Sequence, residues 1–269
     1  MADDRLPTPL GGPPPAEIVL HKSPLVRVVA QVRFSGVLRI ENREAITPFQ
    51  DKVRSAYPLF EQAMAQQLQL DLTSGTPSLR PIPSSVWRFS NADRSMLLSL
   101  TSDTVTLEAR TYQGRSDFVP RWSKILSCLE EVFQPALALR TGIRYVNRLD
   151  RASLGQLPKW VQPNFIGVAL PEFRDFVTQA FSEASLKVEE GDLLLRWGIL
   201  PANVTMDPGL LDPAPDISWV LDLDVSSSVQ KPFEITALTS EFGALTKRAY
   251  AVFRWAVTKA GLEHFGAEA

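Results

Sequence analysis

The chain has 269 residues, of which 45% belong to the hydrophobic set AVILMFWYC and 22% are charged, a balance typical of globular rather than disordered proteins. Its formal net charge of −2 argues against a broadly basic surface that binds nucleic acid, although it is compatible with a local basic face. A single cysteine, Cys128, excludes an intrachain disulfide and is typical of a reducing compartment. Two histidines, His21 and His264, leave few routes to histidine-based catalysis or to a zinc site.

A proline-rich arm opens the chain. Residues 6–15 carry five prolines and two glycines. Because proline lacks an amide donor and has a fixed φ, residues 1–22 are predicted to be a disordered arm, either a flexible tail or a peptide that docks on a partner. No apolar run follows the charges at residues 3–5, and no stretch reaches the roughly 18 apolar residues of a membrane span. We therefore expect a cytoplasmic protein without a membrane segment.

Residues 23–153 are predicted to form an N-terminal α+β lobe. Residues 25–34 alternate between apolar and polar side chains, which predicts a half-buried strand. Its apolar side is Val26, Val28, Ala30, Val32 and Phe34. Thr47 followed by Pro48 indicates a helix start. Further strands are predicted at 86–90, 95–101, 104–111 and 139–149, and a long amphipathic helix at 116–133.

Residues 154–269 are predicted to form a C-terminal α+β lobe, in which short antiparallel strands again precede a long helix. Its predicted elements are a strand at 164–170, a helix at 171–181, a hairpin of 184–188 with 193–200, a loop at 201–216, a strand around 219–225 and a helix at 240–264. The predicted fold is α+β, with a mostly antiparallel sheet and long amphipathic helices packed on one face. The similar order of predicted strands and helices in the two lobes is also compatible with an ancient duplication.

Several segments resemble a bacterial protein family. They are Leu25–Phe34, Ile46–Gln50, Tyr57-Pro58, the strand Leu139–Leu149 and the closing Phe265-Gly266. The chain from residue 23 onward resembles a large family of bacterial proteins of about this length, sporadically distributed across genomes and functionally uncharacterised. The resemblance implies a bacterial, cytoplasmic protein of accessory type, and it assigns no catalytic residue.

Seven arginines fall opposite the apolar residues of the predicted strands. They are Arg27, Arg33, Arg88, Arg110, Arg140, Arg144 and Arg148. If helices cover the apolar side, these guanidinium groups gather on the open face of the sheet, where they suit phosphate or carboxylate groups. A second interpretation is that they pair with acids such as Glu108 on neighbouring strands, or lie under a second layer of the protein. Both interpretations stand at this point.

The last predicted helix is apolar on two sides. One side contains Phe242, Leu245 and Val252, and the other contains Ala251, Trp255 and Leu262. A helix of this kind is packed either between layers of its own chain or against another molecule. Ala251, Trp255 and Leu262 are therefore candidates for an interface, and the sequence leaves open which of the two arrangements applies.

These observations favour a non-enzymatic protein that interacts with another protein in an accessory or regulatory role. The alternative is binding of nucleic acid or a nucleotide through the arginine-lined sheet face. We expect no cofactor, no metal and no catalytic residue of a recognised type, because no phosphate-binding glycine motif or ligand cluster is found. The expected partners are an unidentified protein and a second copy of the chain bound through the C-terminal helix.

Overall fold

A computed structural model describes residues 6–71, 78–168, 173 and 176–267. Within them the strands are β1 (Leu25–Phe34), β2 (Leu59–Asp71), β3 (Ser78–Ser90), β4 (Met96–Leu100), β5 (Thr104–Ala109), β6 (Leu137–Leu149), β7 (Ala180–Val188), β8 (Gly191–Leu200), β9 (Ser218–Ser227) and β10 (Lys231–Pro232). The α-helices are α1 (Arg43–Val53), α2 (Arg115–Phe133), α3 (Leu157–Trp160), α4 (Ile235–Ala256) and α5 (Lys259–His264). The predicted α+β fold with a mostly antiparallel sheet is confirmed.

One antiparallel sheet contains all ten of these strands, in the order β2-β3-β4-β5-β1-β6-β9-β8-β7 with β10 beside β6. The order is nearly symmetric about the central pair β1–β6. In each half the later strands lie progressively closer to the central pair, and a long helix follows them. This helix is α2 after β5 in the first half, and α4 after β9 and the short β10 in the second. Because β6 and β9 are hydrogen-bonded neighbours, the two predicted lobes share one continuous sheet. This arrangement supports the interpretation of a duplicated unit.

The long helices pack together on one face of the sheet. Helix α4 contacts β6, β9 and α2, and α2 contacts α1. Fully buried aromatic rings fill the layer between helices and sheet, including Trp87 from β3, Trp122 from α2 and Phe242 from α4. Burial of this apolar surface is the main stabilising contribution to the fold. None of the helices in the described part of the chain combines the length and the apolar character that a bilayer crossing requires.

Two predicted helix boundaries are wrong, and side-chain caps explain both. The first helix begins at Arg43 rather than after Thr47, because Oδ1 of Asn42 accepts a hydrogen bond from the Glu44 amide at 2.8 Å. The last predicted helix is interrupted after Ala256. Thr258 then caps a separate helix, α5, by accepting from the Gly261 amide at 3.0 Å.

The predicted strand at 164–170 and helix at 171–181 are not found in the described residues of those segments. Residues 163–165 form a 3-10 turn, and residues 169–172, 174 and 175 lie outside the described residues. Ala180 begins β7 instead of ending a helix. Phe176, expected to point inward, is 82% exposed. The apolar residues of this segment are spaced as on one face of a helix, but this spacing did not correspond to a buried helix face.

The proline-rich arm differs from the disordered tail expected from its composition. From residue 6 onward it lies against the body of the protein, and Leu10 packs on the main core. Nη1 of Arg248 donates to the Pro9 carbonyl at 2.7 Å, and its Nη2 donates to the Gly12 carbonyl at 2.9 Å. Proline removes amide donors but leaves carbonyl acceptors, so a buried arginine can hold the arm.

Candidate functional site

The predicted arginines lie on the sheet face opposite the helices, and several bond to acids of the same chain. Arg27 is only 5% exposed, and its Nη1 is 3.1 Å from Oε1 of Glu108 on β5. Nη2 of Arg140 donates to Oδ1 of Asp224 on β9 at 3.1 Å. Burial raises the pKa of the Asp224 carboxyl, and the nearby arginines oppose that rise. These contacts support the interpretation that the arginines pair within the sheet.

The loop at 201–216 covers part of this arginine face. Nε of Arg27 donates to the Leu210 carbonyl at 2.8 Å, and Nη2 of Arg148 donates to the Asp212 carbonyl at 2.8 Å. A small apolar cluster lies beneath the loop and consists of Val146, Leu200, Leu211 and Val220. The loop is therefore a second layer that covers Arg27 and part of Arg148 and shields them from solvent.

Val26 belongs to this loop-covered cluster, and its predicted position on the helix side of β1 is wrong. The register of β1 against β6 shifts between Leu25 and Arg27. A bulge of this kind lets two successive residues point to the same face. Val26 and Arg27 therefore both face the loop, while Val28 resumes the predicted alternation and joins the main core.

Three of the seven arginines remain more open to solvent. Arg33 and Arg88 are exposed. The Arg110 side chain is 58% exposed, with Nη1 at 3.5 Å from Oδ2 of Asp212. The positive charge left available on this face is therefore spread over β1, β3 and the end of β5 instead of forming one arginine cluster.

The interface candidates on the C-terminal helices have different environments. Ala251 is 4% exposed and Leu262 is 8% exposed, so both contribute to the interior of the chain. Trp255 is 40% exposed, and its ring centroid is 4.9 Å from that of Phe165 in an edge-on contact. Trp255 is the one of the three that retains a substantial surface for contact with another molecule.

A pocket of about 410 Å³ lies on the helix side of the sheet, where the arm meets α2, α4 and β6. We call it the tyrosine pocket. Its apolar lining includes Ile18, Leu20, Leu25, Leu223, Ala249 and Phe253. Its polar lining includes Glu17, Tyr112, Arg115, Tyr145, Asn147 and Tyr250. Small-molecule sites commonly have volumes of about 300–1,000 Å³, mostly apolar walls and a few convergent polar groups.

Two tyrosines face each other in this pocket. The hydroxyl oxygens of Tyr112 and Tyr145 are 3.2 Å apart. Burial raises the pKa of Tyr112 to about 12 and raises the pKa of Tyr145 well above its ordinary value. Both hydroxyls are therefore neutral at physiological pH. Because one hydroxyl donates to the other, one phenolic proton of the pair is left for a further acceptor.

Arg115 brings a positive charge to the wall of the pocket. Its Nε donates to Oε2 of Glu17 at 2.8 Å, and its guanidinium lies 5.4 Å from the centre of the Tyr250 ring. Its Nη1 is shielded from solvent and has no hydrogen-bond partner among the described residues. A buried donor without an acceptor is costly, so this nitrogen marks a position where an acceptor would be stabilised.

The start of α2 also contributes to the pocket. Gly114 is the N-cap residue, with φ of 113°, and no side chain caps the helix there. A φ of this value favours glycine over residues with a Cβ. The first amides of a helix have no partners within the helix and carry a partial positive charge. The backbone thus adds to the donor character of the wall formed by Arg115.

Tyr250 joins the arm to α4 at the pocket. Its hydroxyl oxygen accepts from the Ile18 amide at 3.0 Å and from Nη1 of Arg254 at 3.2 Å. With both acceptor positions occupied, the phenolic proton of Tyr250 remains to be donated. Asn147 on β6 is 3% exposed and donates through Nδ2 to the Leu221 carbonyl at 3.2 Å, which fixes its amide at the base of the pocket.

The polar residues of this pocket form no motif in the sequence that marks them as a site. Two local signals bear on it: Gly114 just before a predicted helix, and Tyr145 with its hydroxyl on the apolar side of a predicted strand. The other groups come from the arm and α4. Their proximity depends on the packing of α4 against β6, which no local pattern specifies.

A comparison with protein-family models finds no match, and a comparison with curated proteins also finds none. The resemblance of residues 25–34 and 139–149 to a bacterial family therefore stays a prediction.

Proposed function

We propose that the protein binds a small organic molecule in the tyrosine pocket, and that this binding underlies an accessory or regulatory role. The observation that supports the proposal is the combination of a 410 Å³ pocket with apolar walls and a convergent set of donors from Tyr112, Tyr145 and Arg115. The two tyrosine hydroxyls are hydrogen-bonded to each other and protonated, so binding and orientation of a ligand are the roles that their geometry favours.

The arginine face supports nucleic-acid binding less well. Arg27, Arg140 and Arg144 already donate to acids or carbonyls of the same chain. A phosphate backbone would have to displace those partners, and each displacement would leave a partly buried carboxylate unpaired. Nucleotide or nucleic-acid binding through this face is consequently the less supported alternative, and the groups left to carry it are the exposed Arg33, Arg88 and Arg110.

A protein partner and a second copy of the chain remain predictions. We propose Trp255 as the first position to test for either, because it is exposed while Ala251 and Leu262 are buried. Replacing Trp255 with Asp and measuring the mass in solution tests the second-copy interpretation. An oligomer that is unchanged by this substitution would exclude contact through Trp255.

The neutral fluorescent probe N-phenyl-1-naphthylamine tests the pocket directly. We expect one saturable site in the wild-type protein, and loss of that site in Ala249→Leu, which fills the pocket from α4. Ala244→Leu is the matched control, because Ala244 lies on the same helix but does not line the pocket. Circular dichroism checks that each variant is folded.

Should Ala249→Leu fail to fold, Ser116→Trp provides a second test. Ser116 is exposed and lines the pocket at the start of α2, so a bulky ring there obstructs the mouth without overpacking the core. Probe binding that is absent from the wild-type protein, or equal in the wild-type protein and a folded pocket variant, would rule out the proposed function.

A further inference from the structure

Three hydrogen-bond donors around the tyrosine pocket have no acceptor among the described residues. The unmatched donors are Nη1 of Arg115, one phenolic proton of the Tyr112–Tyr145 pair, and the phenolic proton of Tyr250. Each is assigned by counting the protons and lone pairs of the groups that contact one another. A ligand that satisfies these donors must present acceptor atoms, and an ionised acceptor forms hydrogen bonds roughly twice as strong as a neutral one.

Glu17 shows which acceptor the site accommodates. Its carboxylate already binds Nε of Arg115 at 2.8 Å, although the Glu17 side chain is 38% exposed and belongs to the arm. The guanidinium is therefore positioned for a planar carboxylate, while Nη1 on the same group remains without an acceptor. A guanidinium can bind two carboxylates through different edges, because its five N–H groups point in fixed directions.

The charges that line the pocket disfavour a ligand with more than one negative charge. Arg115 is the only cationic side chain among the residues that line it in the described structure, and Glu17 supplies an opposing carboxylate. A phosphate dianion would face repulsion from Glu17 in a partly desolvated site, where charges interact more strongly than in water. A monocarboxylate presents two acceptor oxygens to these donors and carries half the charge of a phosphate dianion.

We infer that the pocket binds a monocarboxylic acid with an apolar body, an inference that rests on the proposed function. Its carboxylate accepts from the guanidinium group of Arg115 and from a tyrosine hydroxyl. The body of the ligand lies against the apolar wall that includes Leu20, Leu25 and Phe253. Since Leu20 belongs to the arm, the arm forms part of the wall that the ligand contacts.

Three eight-carbon probes separate the chemical classes: octanoate, 1-octanol and octylamine, titrated calorimetrically against the full chain at neutral pH. We expect octanoate to bind about tenfold or more tightly than 1-octanol, the ratio for one charge-assisted hydrogen bond, and octylamine to bind weakest. Arg115→Gln is expected to remove the preference for octanoate and to leave 1-octanol binding within about twofold of wild type. Arg121→Gln is the matched control, an exposed arginine on the same helix.

Glu17→Gln gives a second test that does not depend on losing Arg115. Removing the competing carboxylate is expected to tighten octanoate binding several-fold and to leave 1-octanol unchanged, whereas Glu44→Gln, on the exposed start of α1, changes neither. Equal affinities for octanoate and 1-octanol in the wild-type protein would overturn the inference of a carboxylate ligand, but they would leave the proposed binding of a small molecule in the pocket intact. If no probe binds and N-phenyl-1-naphthylamine is also not bound, the proposed function itself fails.

Discussion

Arg144 on β6 binds Asp222 on β9 through two hydrogen bonds, Nε to Oδ1 at 2.8 Å and Nη2 to Oδ2 at 2.9 Å. Asp222 is not its direct partner in the ladder, because Arg144 lies opposite Asp224 and reaches the diagonal neighbour. The Asp222 carboxylate is fully buried and also accepts from Nη1 of Arg196 at 3.0 Å. One acid thus ties together the strands β6, β8 and β9.

Replacing Asp222 with Asn should be strongly destabilising. The substitution would leave the guanidinium groups of Arg144 and Arg196 without their shared negative charge in a largely buried site. Removing one partner of a buried ion pair costs about 3–5 kcal/mol, and the partial exposure of both arginines places this case near the lower end. Urea unfolding measures the loss. Asp216→Asn, an exposed acid, should unfold like wild type, and similar midpoints for both variants would contradict the prediction.

The arginine face should not bind polyanions with appreciable affinity. In fluorescence anisotropy at low salt, we expect single-stranded DNA to show no saturable binding to the wild-type chain, because the internal acids already occupy most of the guanidinium groups. Salt-dependent binding that is lost in Arg33→Glu or Arg88→Glu, but retained in Arg121→Glu on α2, would contradict this expectation and favour the alternative function, nucleic-acid binding through the arginine face.

Local periodicity predicted the two faces of the strands well. Val28, Ala30, Val32 and Phe34 are all buried against the helices, and Arg33 on the other side of β1 is exposed. Alternation needs no knowledge of the neighbouring strand, because successive side chains in a strand point to opposite faces. It failed at Val26, where a bulge adds a residue to one strand and inverts the pattern locally.

The same alternating pattern could not predict whether each arginine faces solvent or pairs with an acid of the same chain. Whether Arg144 faces solvent or an acid depends on the placement of Asp222 beside it, 78 positions further along the chain. The loop at 201–216 adds a layer whose position depends on tertiary contacts. The tyrosine pocket was missed for the same reason, since Glu17, Arg115 and Tyr250 come from three distant segments.

Arg248 should hold the proline-rich arm in place. It is 1% exposed, and its Nε donates to Oε2 of Glu190 at 2.6 Å while two of its nitrogens bind arm carbonyls. Arg248→Met is expected to destabilise the protein by about 3 kcal/mol, because it leaves Glu190 and the two carbonyls without their buried donor. It should also speed hydrogen exchange at the amides of Leu10 and Gly12.

Arg121→Met on α2 is the control for this variant, because Arg121 is an exposed arginine paired with Asp117 within its own helix. Its arm amides should exchange as slowly as those of the wild-type protein. Unchanged exchange at Leu10 in Arg248→Met would show that the arm is held by its other contacts, such as the hydrogen bond from the Glu189 amide to the Leu10 carbonyl at 2.9 Å.

Stability at alkaline pH should depend on Tyr112. Burial raises its pKa to about 12 in the folded protein, against an ordinary value of 10.0. Below pH 10 the hydroxyl is protonated in both states, so its contribution to stability is fully present. Between pH 10 and 12 the unfolded chain releases this proton while the folded chain retains it, so the free energy of unfolding falls as the pH rises. The loss attributable to this group is on the order of 2 kcal/mol.

Tyr112→Phe removes a titrating group, so its stability should fall less steeply than that of wild type over the same pH range. Urea unfolding at a series of alkaline pH values measures this slope. Tyrosinate absorbance provides an independent reading: the wild-type protein should retain a transition with a midpoint near pH 12 that the variant lacks. If every tyrosine of the folded wild-type protein ionises with a midpoint near pH 10, the ordinary tyrosine pKa, then the Tyr112 hydroxyl is solvated and the pocket does not shield it.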